Sequence, residues 1–353
     1  MLILSGQVRY DTTARSTGLG IRALGDQEFE ITKAIDCMTK YCEMVIDPMR
    51  IRFCLEKALY LAQTGRPGPC WLDIPLNVQG AYVETEELLG FDKNDYEAGG
   101  TGWSVHGSGC DGCGLCAGKL IQGKPAMIPE DEAGKGEKRE LLPPSVSLDL
   151  AREIVKKVRE AKRPVINAGN GIRIGKAFDV FQRVVEMLGI PVVTGWNSLD
   201  CMYDSHPLYV GRAGHMGDRP GNFAVQNCDL LLSLGSRLSI RQVGYNYPTW
   251  AREAYVIYND IDAEELKKPT VHVDMPVHAD VKDLLEKMEM VLEVEAVSAD
   301  GGPKDKEAVD WWISRCQQWK EKYPVVLPKH YEAGEDQPAN IYAAIKEISR
   351  RAE

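Results

Sequence analysis

The stretch that decides the fold is Pro164-Val165-Ile166-Asn167-Ala168-Gly169-Asn170-Gly171. Its first half is apolar and is typical of a buried strand, and its second half is a glycine-containing loop of the kind that leads into a helix. Similar loops follow three further apolar runs, at 194–198, 235–237 and 259–262. This alternation predicts an α/β fold whose central domain, residues 146–295, is a doubly wound, Rossmann-like parallel sheet.

Apolar spacing also predicts the individual elements of this domain. We expect strands at 164–167, 191–194, 229–234 and 254–258, with a shorter strand near 270–273. We expect helices near 150–161, 176–188 and 280–291.

The preceding part of the chain, residues 1–85, has the pattern of a partial α/β domain. Leu2-Ile3-Leu4 predicts a buried strand, and Asp47-Pro48 is typical of a helix start, with an N-cap followed by proline. An apolar strand is expected from Cys70 to Ile74.

The two remaining parts of the chain differ from both domains. Residues 86–145 are rich in glycine, proline and acidic residues, and they predict a linker that carries an insertion. Residues 296–353 predict two helices with no sheet to pack on, one of them with Trp312 and Cys316 on its apolar face. We interpret this segment as the helical start of a truncated third domain.

Composition excludes several classes of function. The chain has 353 residues, 44% of them hydrophobic, and a formal charge of −10, which argues against non-specific nucleic-acid binding. It contains neither an apolar run long enough to span a membrane nor a signal peptide, so we expect a cytoplasmic protein with no membrane partner. Seven of the ten cysteines are single within apolar segments, and we expect them to pack as small hydrophobes: Cys37, Cys42, Cys54, Cys70, Cys201, Cys228 and Cys316.

The four loops of the central domain suggest a nucleotide site. Glycine lets backbone N–H groups approach a phosphate, Arg237 and Arg241 can bind phosphate or stack on adenine, and an aspartate after a strand suits a ribose hydroxyl. The motif is not a full G-x-G-x-x-G, because position 174 is Ile. Glycine after a strand is also ordinary turn chemistry, so the loops indicate either nucleotide binding or descent from it.

A family resemblance rests on several motifs that occur in order. Ser5-Gly6-Gln7-Val8, Gln27-Glu28, Thr39-Lys40-Tyr41 and the block from Gly65 to Pro75 resemble the second half of the pyrimidine-binding domain in thiamine-diphosphate-dependent enzymes of the acetolactate synthase type. His206-Pro207-Leu208, the run from Val210 to His215, Gly235-Ser236-Arg237-Leu238 and Asp260-Ile261-Asp262 resemble the central domain of that family.

The resemblance implies a cofactor site in the central domain, because that domain holds FAD or an ADP moiety in the family. The matching positions are Gly169, Asn170, Gly171, Thr194, Gly195, Trp196, Gly214, His215, Gly235, Ser236, Arg237, Arg241, Asp260, Ile261 and Asp280. Asn170 replaces a usual glycine, and the bulky Trp196 could either stack on a ring or fill the pocket. Gln27 and Lys40 match positions near the substrate channel of the family. The alternative interpretation is that both are polar side chains exposed to solvent on the surface.

The resemblance also implies a reaction and a set of partners. The family binds thiamine diphosphate with Mg²⁺ and acts on small 2-oxo acids as homodimers or homotetramers, with decarboxylation followed by carboligation. The catalytic glutamate of the pyrimidine domain and the GDG…N motif for Mg²⁺ do not occur here, so we expect a fragment with no catalytic residue in the chain, inactive alone. The alternative is a non-catalytic nucleotide- or metal-binding module, or a subunit that needs a partner.

A cysteine-rich motif lies in the insertion, outside the family pattern. Cys110, Cys113 and Cys116 have the C-x₂-C-x₂-C spacing of an iron–sulfur run, but the next expected cysteine position holds Leu120. Zinc completed by His106 or by another chain is a second interpretation. An insertion with no ligand is the third.

Overall fold

The computed structural model describes residues 1–104, 143–296, 302–332 and 338–351, and it divides the chain into two units, Met1–Arg139 and Glu140–Glu353. The motif Cys110, Cys113, Cys116 therefore lies outside the described residues. Within the described ranges, no helix combines the length and the apolar character that crossing a membrane requires.

The first unit contains a three-stranded parallel sheet in the order β1-β3-β2. Its elements are β1 (Leu2–Gln7), α1 (Ala14–Thr17), α2 (Ile31–Ile35), β2 (Tyr41–Met44), α3 (Ile51–Gln63), β3 (Cys70–Pro75), α4 (Leu76–Gln79), β4 (Gly90–Phe91), α5 (Lys93–Glu97) and β5 (Trp103–Ser104). Helix α3 packs its buried face, with Phe53, Cys54 and Ala58, on the sheet around Leu72. The expected helix and strands are confirmed, but β1 is not fully buried: Leu4, which pairs with Leu72 from the edge strand of the sheet, is 55% exposed.

The second unit contains a parallel sheet of six strands. These strands are β6 (Pro164–Ala168), β7 (Val192–Thr194), β8 (Tyr209–Arg212), β9 (Leu230–Leu234), β10 (Tyr255–Asp260) and β11 (Met275–His278). They lie in the order β11-β10-β9-β6-β7-β8, and all neighbours are parallel. The chain winds outward in both directions from β6 and β9, which confirms the doubly wound fold and places its switch point between these two strands.

Helices cover both faces of this sheet. The helices of this unit are α6 (Leu148–Glu160), α7 (Gly171–Ile174), α8 (Phe178–Leu188), α9 (Arg219–Asn227), α10 (Ile240–Val243), α11 (Val281–Ala296), α12 (Lys306–Lys322) and α13 (Ile341–Arg351). One core joins α6, α8 and α11 through Ile154, Phe181 and Leu284. The other core joins α9 and α12 to the opposite face through Ala224 and Trp312.

The expectation that the helices after residue 296 have no sheet to pack on is wrong for α12. Trp312 is 1% exposed, and its indole N–H donates to the carbonyl oxygen of Pro164 at 3.1 Å. Cys316 is fully buried one turn later. Helix α12 therefore completes the second face of the central sheet, whereas Ile341, Ile345 and Ile348 of α13 are exposed.

Two further expectations are corrected. The last strand is β11, and the strand expected near 270–273 is not formed. Both stretches alternate apolar and polar residues, so the pattern does not distinguish them. Met275 and Val277 lie in the strand that pairs with β10, whereas Val271 and Val273 pack against the core on the other face of the sheet. Among the seven cysteines, Cys37 is exposed and Cys42 half-buried, whereas the other five are buried.

Candidate functional site

The loops that follow β6, β7, β9 and β10 lie together at the carboxyl-terminal edge of the sheet. The backbone N–H groups of Gly169 and Gly171 donate to the carbonyl oxygens of Leu234 and Gly235, each at 2.9 Å. Gly195 donates to the carbonyl oxygen of Ala168 at 3.2 Å. This is the edge at which doubly wound sheets bind ligands, and the switch point lies at its centre.

The two glycines after β6 have a structural role that the sequence did not predict. A Cβ added to Gly169 would lie 2.2 Å from the Cα of Ser236, and one added to Gly171 would lie 2.8 Å from the Cα of Gly235. Their N–H groups are already paired with the opposite loop. Glycine is therefore required here because two backbones touch, and the expected phosphate cradle of N–H groups is not formed by these two residues.

A buried hydrogen-bonded network lies directly below these loops. The side-chain amide of Asn167 donates to the hydroxyl oxygens of Ser233 at 3.1 Å and Ser236 at 3.0 Å. Gln242 donates to the Oδ1 of Asn167 at 3.0 Å. Asn167 and Ser233 are polar residues inside apolar strands, and that pattern was the signal in the sequence for this network. The hydrogen bond from Gln242 to Asn167 had no such signal.

Arg237 is held in a buried ion-pair cluster. Arg237 and Leu238 both have left-handed backbone, with φ of 54° and 44°. The guanidinium of Arg237 binds Glu265 at 2.9 Å, and the opposite oxygen of Glu265 lies 2.6 Å from the ammonium of Lys268. Lys268 also donates to the carbonyl oxygen of Arg237. Burial lowers the pKa of Lys268, and the charge of Glu265 opposes that shift. The expected phosphate contact would have to compete with this ion pair.

Several other expected site residues have structural partners. Asp280 caps α11, accepting from the N–H of Lys282 at 2.7 Å. The hydroxyl of Thr194 is bonded to that of Tyr209 at 3.1 Å. Asp260 is 8% exposed and accepts from the N–H of Asp262 at 3.0 Å, and burial raises its pKa. Asn170 is half-buried, and Ile261 is 55% exposed.

A cavity of about 710 Å³ opens beside these loops, next to the ends of β7 and β8. Its walls include Trp196 and Arg241, both expected site residues, together with Arg212, Arg219, Lys322 and Tyr323. His215 is exposed, and its backbone N–H donates to the carbonyl oxygen of Arg241 at 3.0 Å. Gly214 packs against that same carbonyl, because a Cβ there would lie 2.6 Å from it.

The charges and rings of this cavity fit an anionic ligand with a planar ring. Four cationic side chains and one carboxylate, Asp218, contribute to the lining. Arg212 binds Asp218 at 3.3 Å, and Arg219 lies over the ring of Tyr323 at 5.4 Å. Trp196 is 48% exposed, so its indole is accessible and does not fill the pocket outright. Arginines near aromatic faces are suited to phosphate and to stacking.

Gln27 and Lys40 of the first unit have different surroundings. Gln27 is exposed with φ of 63°. The ammonium of Lys40 donates to the carbonyl oxygens of Leu61 at 2.6 Å and Thr64 at 2.7 Å, at the end of α3. A lysine at the last carbonyls of a helix stabilises that end, so Lys40 has a structural function in addition to any channel role.

The described residues contain no group of three or more histidine, cysteine, aspartate or glutamate side chains placed to bind a metal ion. Binding Mg²⁺ with a diphosphate requires several oxygen ligands around the cation. The described residues therefore do not fit that group.

Comparisons with known proteins agree with this architecture. Residues 151–288 match the family model for the central domain of thiamine pyrophosphate enzymes. The chain is 30% identical over 320 residues to a probable acetolactate synthase large subunit of Methanococcus aeolicus, covering 91% of this chain and 45% of that protein. It is 28% identical over 329 residues to the acetolactate synthase large subunit of Lactococcus lactis, covering 92% of this chain and 45% of that protein. The chain thus spans less than half the length of these relatives.

The doubly wound parallel sheet, with helices on both faces, is the fold class of the central domain that the family model describes. Residues 151–288 belong to the central-domain family of thiamine pyrophosphate enzymes, and over most of its length the chain is similar to acetolactate synthase large subunits.

Proposed function

We propose that this chain serves the decarboxylation and carboligation of a small 2-oxo acid, with its central domain holding FAD or an ADP-type nucleotide. The observation that carries the proposal is the cationic and aromatic cavity at the carboxyl-terminal edge of a domain that matches the family. The relatives named for acetolactate synthesis support the substrate class.

The residues of the cavity would hold the nucleotide by two kinds of contact. Trp196 offers an exposed indole face to a planar ring, and Arg219 and Arg241 offer guanidinium groups to its phosphates. Below them, the network around Asn167 and the buried Glu265–Lys268 pair fix the loop backbones. These loops would therefore position the ligand without large rearrangement, which reduces the entropy lost on binding.

On this proposal the thiamine diphosphate and Mg²⁺ of the family are bound by residues other than those described here, because the described residues form no cluster of three or more histidine, cysteine, aspartate or glutamate side chains. On this proposal the chain is inactive unless such residues are supplied, and it acts as part of a cytoplasmic homodimer or homotetramer. Active sites assembled between subunits are compatible with closed symmetric oligomers.

Replacing the corresponding segment of the Lactococcus lactis relative by this chain tests the proposal. The expected result is a folded chimera that forms acetolactate from pyruvate when thiamine diphosphate, Mg²⁺ and FAD are present. Far-ultraviolet circular dichroism and FAD binding establish folding separately from activity. A folded, nucleotide-binding chimera that releases no CO₂ from pyruvate would contradict the proposal.

The second candidate function is a nucleotide-binding module without catalysis. It is favoured by one observation: Lys40, expected near a substrate channel, is engaged with the end of α3. The activity of the chimera separates the two functions, and replacing Lys40 by methionine in it tests whether this lysine serves the channel. A loss of acetolactate formation with unchanged folding supports a role of Lys40 in the substrate channel of an enzyme. Unchanged activity would show that Lys40 has no role in that channel.

A further inference from the structure

A second pocket, of about 300 Å³, lies at the opposite edge of the central sheet. Arg163 directly precedes β6, Arg252 and Glu253 precede β10, and Asn227 ends α9. The remaining wall is the exposed side of α12, including Trp311 and Arg315. The amino-terminal ends of the strands face this pocket, so it is separate from the cavity at the carboxyl-terminal edge.

The lining of the pocket is positively charged although the chain is acidic overall. Arg163, Arg252 and Arg315 contribute three guanidinium groups against the single carboxylate of Glu253, an excess of two positive charges. Arg252 and Glu253 are 3.8 Å apart, and both are largely exposed, so solvent screens their pairing. The formal charge of the whole chain is −10, which makes a local cationic cluster unlike the average surface.

Two of the arginines, Arg163 and Arg315, are held by contacts that do not neutralise them. The Nε of Arg163 donates to the carbonyl oxygen of Asn227 at 2.7 Å. The nearby carboxylate of Asp229 accepts from the backbone N–H groups of Lys162 and Arg163, at 3.0 and 2.8 Å, and not from the guanidinium. Arg315 lies over the ring of Trp311, 5.6 Å from its centroid.

The aromatic wall of the pocket is rigid at its base and accessible at its rim. Trp312 is buried and fixed by its bond to Pro164, and Trp319 packs against it edge to face at 5.7 Å. Trp311 is 54% exposed and stands beside Trp312 with the two rings 30° from parallel. An exposed indole next to guanidinium groups provides both a stacking face and anion donors.

We propose that this pocket is a binding site for a small organic anion that carries a planar ring, of the nucleoside monophosphate class. The phosphate binds between Arg252 and Arg315, with Arg163 at the base, and the ring stacks on Trp311. The volume is at the lower end of the range of ligand pockets, which excludes a dinucleotide such as FAD and suits a mononucleotide. The site is independent of the nucleotide proposed for the other edge of the sheet.

Isothermal titration of the full chain with AMP, adenosine and inorganic phosphate tests this site. We expect AMP to bind saturably, with tryptophan fluorescence changing in parallel, and both adenosine and phosphate to bind more weakly. The double variant Arg252→Ala/Arg315→Ala is expected to weaken AMP binding by about tenfold or more, because it removes two charge-assisted contacts. The matched control is Arg152→Ala, another exposed arginine of the same unit that does not line the pocket.

Four results would overturn the inference. The first is no saturable binding of AMP, and the second is unchanged binding of AMP in Arg252→Ala/Arg315→Ala. The third is loss of AMP binding in Arg241→Ala with full binding in the double variant, because that outcome places the ligand in the cavity of the other edge. If inorganic phosphate bound as tightly as AMP, the ring would contribute no affinity, and the proposed stacking on Trp311 would be wrong.

Discussion

The backbone N–H of Gly171 donates to the carbonyl oxygen of Gly235 at 2.9 Å, and this bond joins the loops after β6 and β9 across the switch point of the sheet. These loops are separated by more than sixty residues in the sequence but are adjacent in space because β6 and β9 are neighbouring strands. The joined loops lie at the carboxyl-terminal edge of the sheet, where we propose that the nucleotide binds.

Gly169→Ala tests the contact between the loops. The new Cβ would meet backbone atoms of Gly235 and Ser236 at 2.2–2.3 Å, so we expect a loss of about 2–3 kcal/mol in the free energy of unfolding, measured by urea denaturation. The matched control is Gly302→Ala, where a Cβ meets nothing within 4 Å. Equal stability of the two variants would show that the loops are not in contact.

Lys268→Met tests the buried ion-pair cluster. The change leaves the buried carboxylate of Glu265 with one cation fewer and removes the donor to the carbonyl oxygen of Arg237. We expect the free energy of unfolding to fall by about 3 kcal/mol or more. Lys267→Met, the adjacent exposed lysine paired with Glu264, is expected to have little effect. A small effect at Lys268 would contradict the cluster.

Asp260 and Asp283 are expected to give pH dependences of opposite sign. Burial raises the pKa of Asp260, so the folded state retains a proton that the unfolded state releases, and stability falls as pH rises from about 4 through the folded pKa. Asp260→Asn should therefore gain stability relative to the natural chain over that window.

For Asp283, burial acts to raise the pKa, but hydrogen bonds from Lys287, the N–H of Val146 and Ser145 outweigh it and lower the pKa. Its stabilisation is present above about pH 4 and is lost as pH falls through the folded pKa. The difference between Asp283→Asn and the natural chain should therefore shrink on acidification. Free energies of unfolding measured from acid to neutral pH for the natural chain and the two variants check both predictions. If the differences for Asp260→Asn and Asp283→Asn changed with pH in the same direction, the opposite pKa shifts of the two aspartates would be contradicted.

Trp312→Phe tests whether α12 completes the central sheet. The change leaves the carbonyl oxygen of Pro164 without its indole donor and creates a small cavity, so we expect a loss of about 2 kcal/mol. Trp311→Phe, at the neighbouring exposed position, should leave unfolding almost unchanged. If both variants unfold alike, α12 does not pack as described.

The sequence predicted the parts of the fold that depend on local pattern. Apolar runs such as Leu230–Leu234 indicated the buried strands, and the loops after four of them, three of which contain glycine, were expected at one edge. Strand β8 was missed because Tyr209-Val210-Gly211-Arg212 contains a glycine and a charge and shows no alternation. Helix α9 was missed although Asp218, which caps it, and Pro220 are start signals.

The partners of side chains could not be predicted in the same way. Arg237 has the residue type of a ligand contact, but its partner Glu265 lies at a position that only the folded chain brings near. Asp280 also has that residue type, yet it caps the helix that directly follows it. Helix α12 has an apolar stripe that predicts burial but does not indicate the surface that covers it. Function was inferred mainly from the order of motifs, since no single loop distinguishes a cofactor site from a tight turn.

The central claim is that the edge of the sheet beside Trp196 and Arg241 binds an adenine nucleotide. Titration of the purified chain with FAD and with ADP, followed by tryptophan fluorescence, tests it most directly, with Arg241→Ala and Trp196→Ala beside the control Arg152→Ala. We predict saturable binding that weakens about tenfold or more in the first two variants and is unchanged in the control. Absence of saturable binding by either nucleotide, or equal binding by all the variants, would contradict the claim.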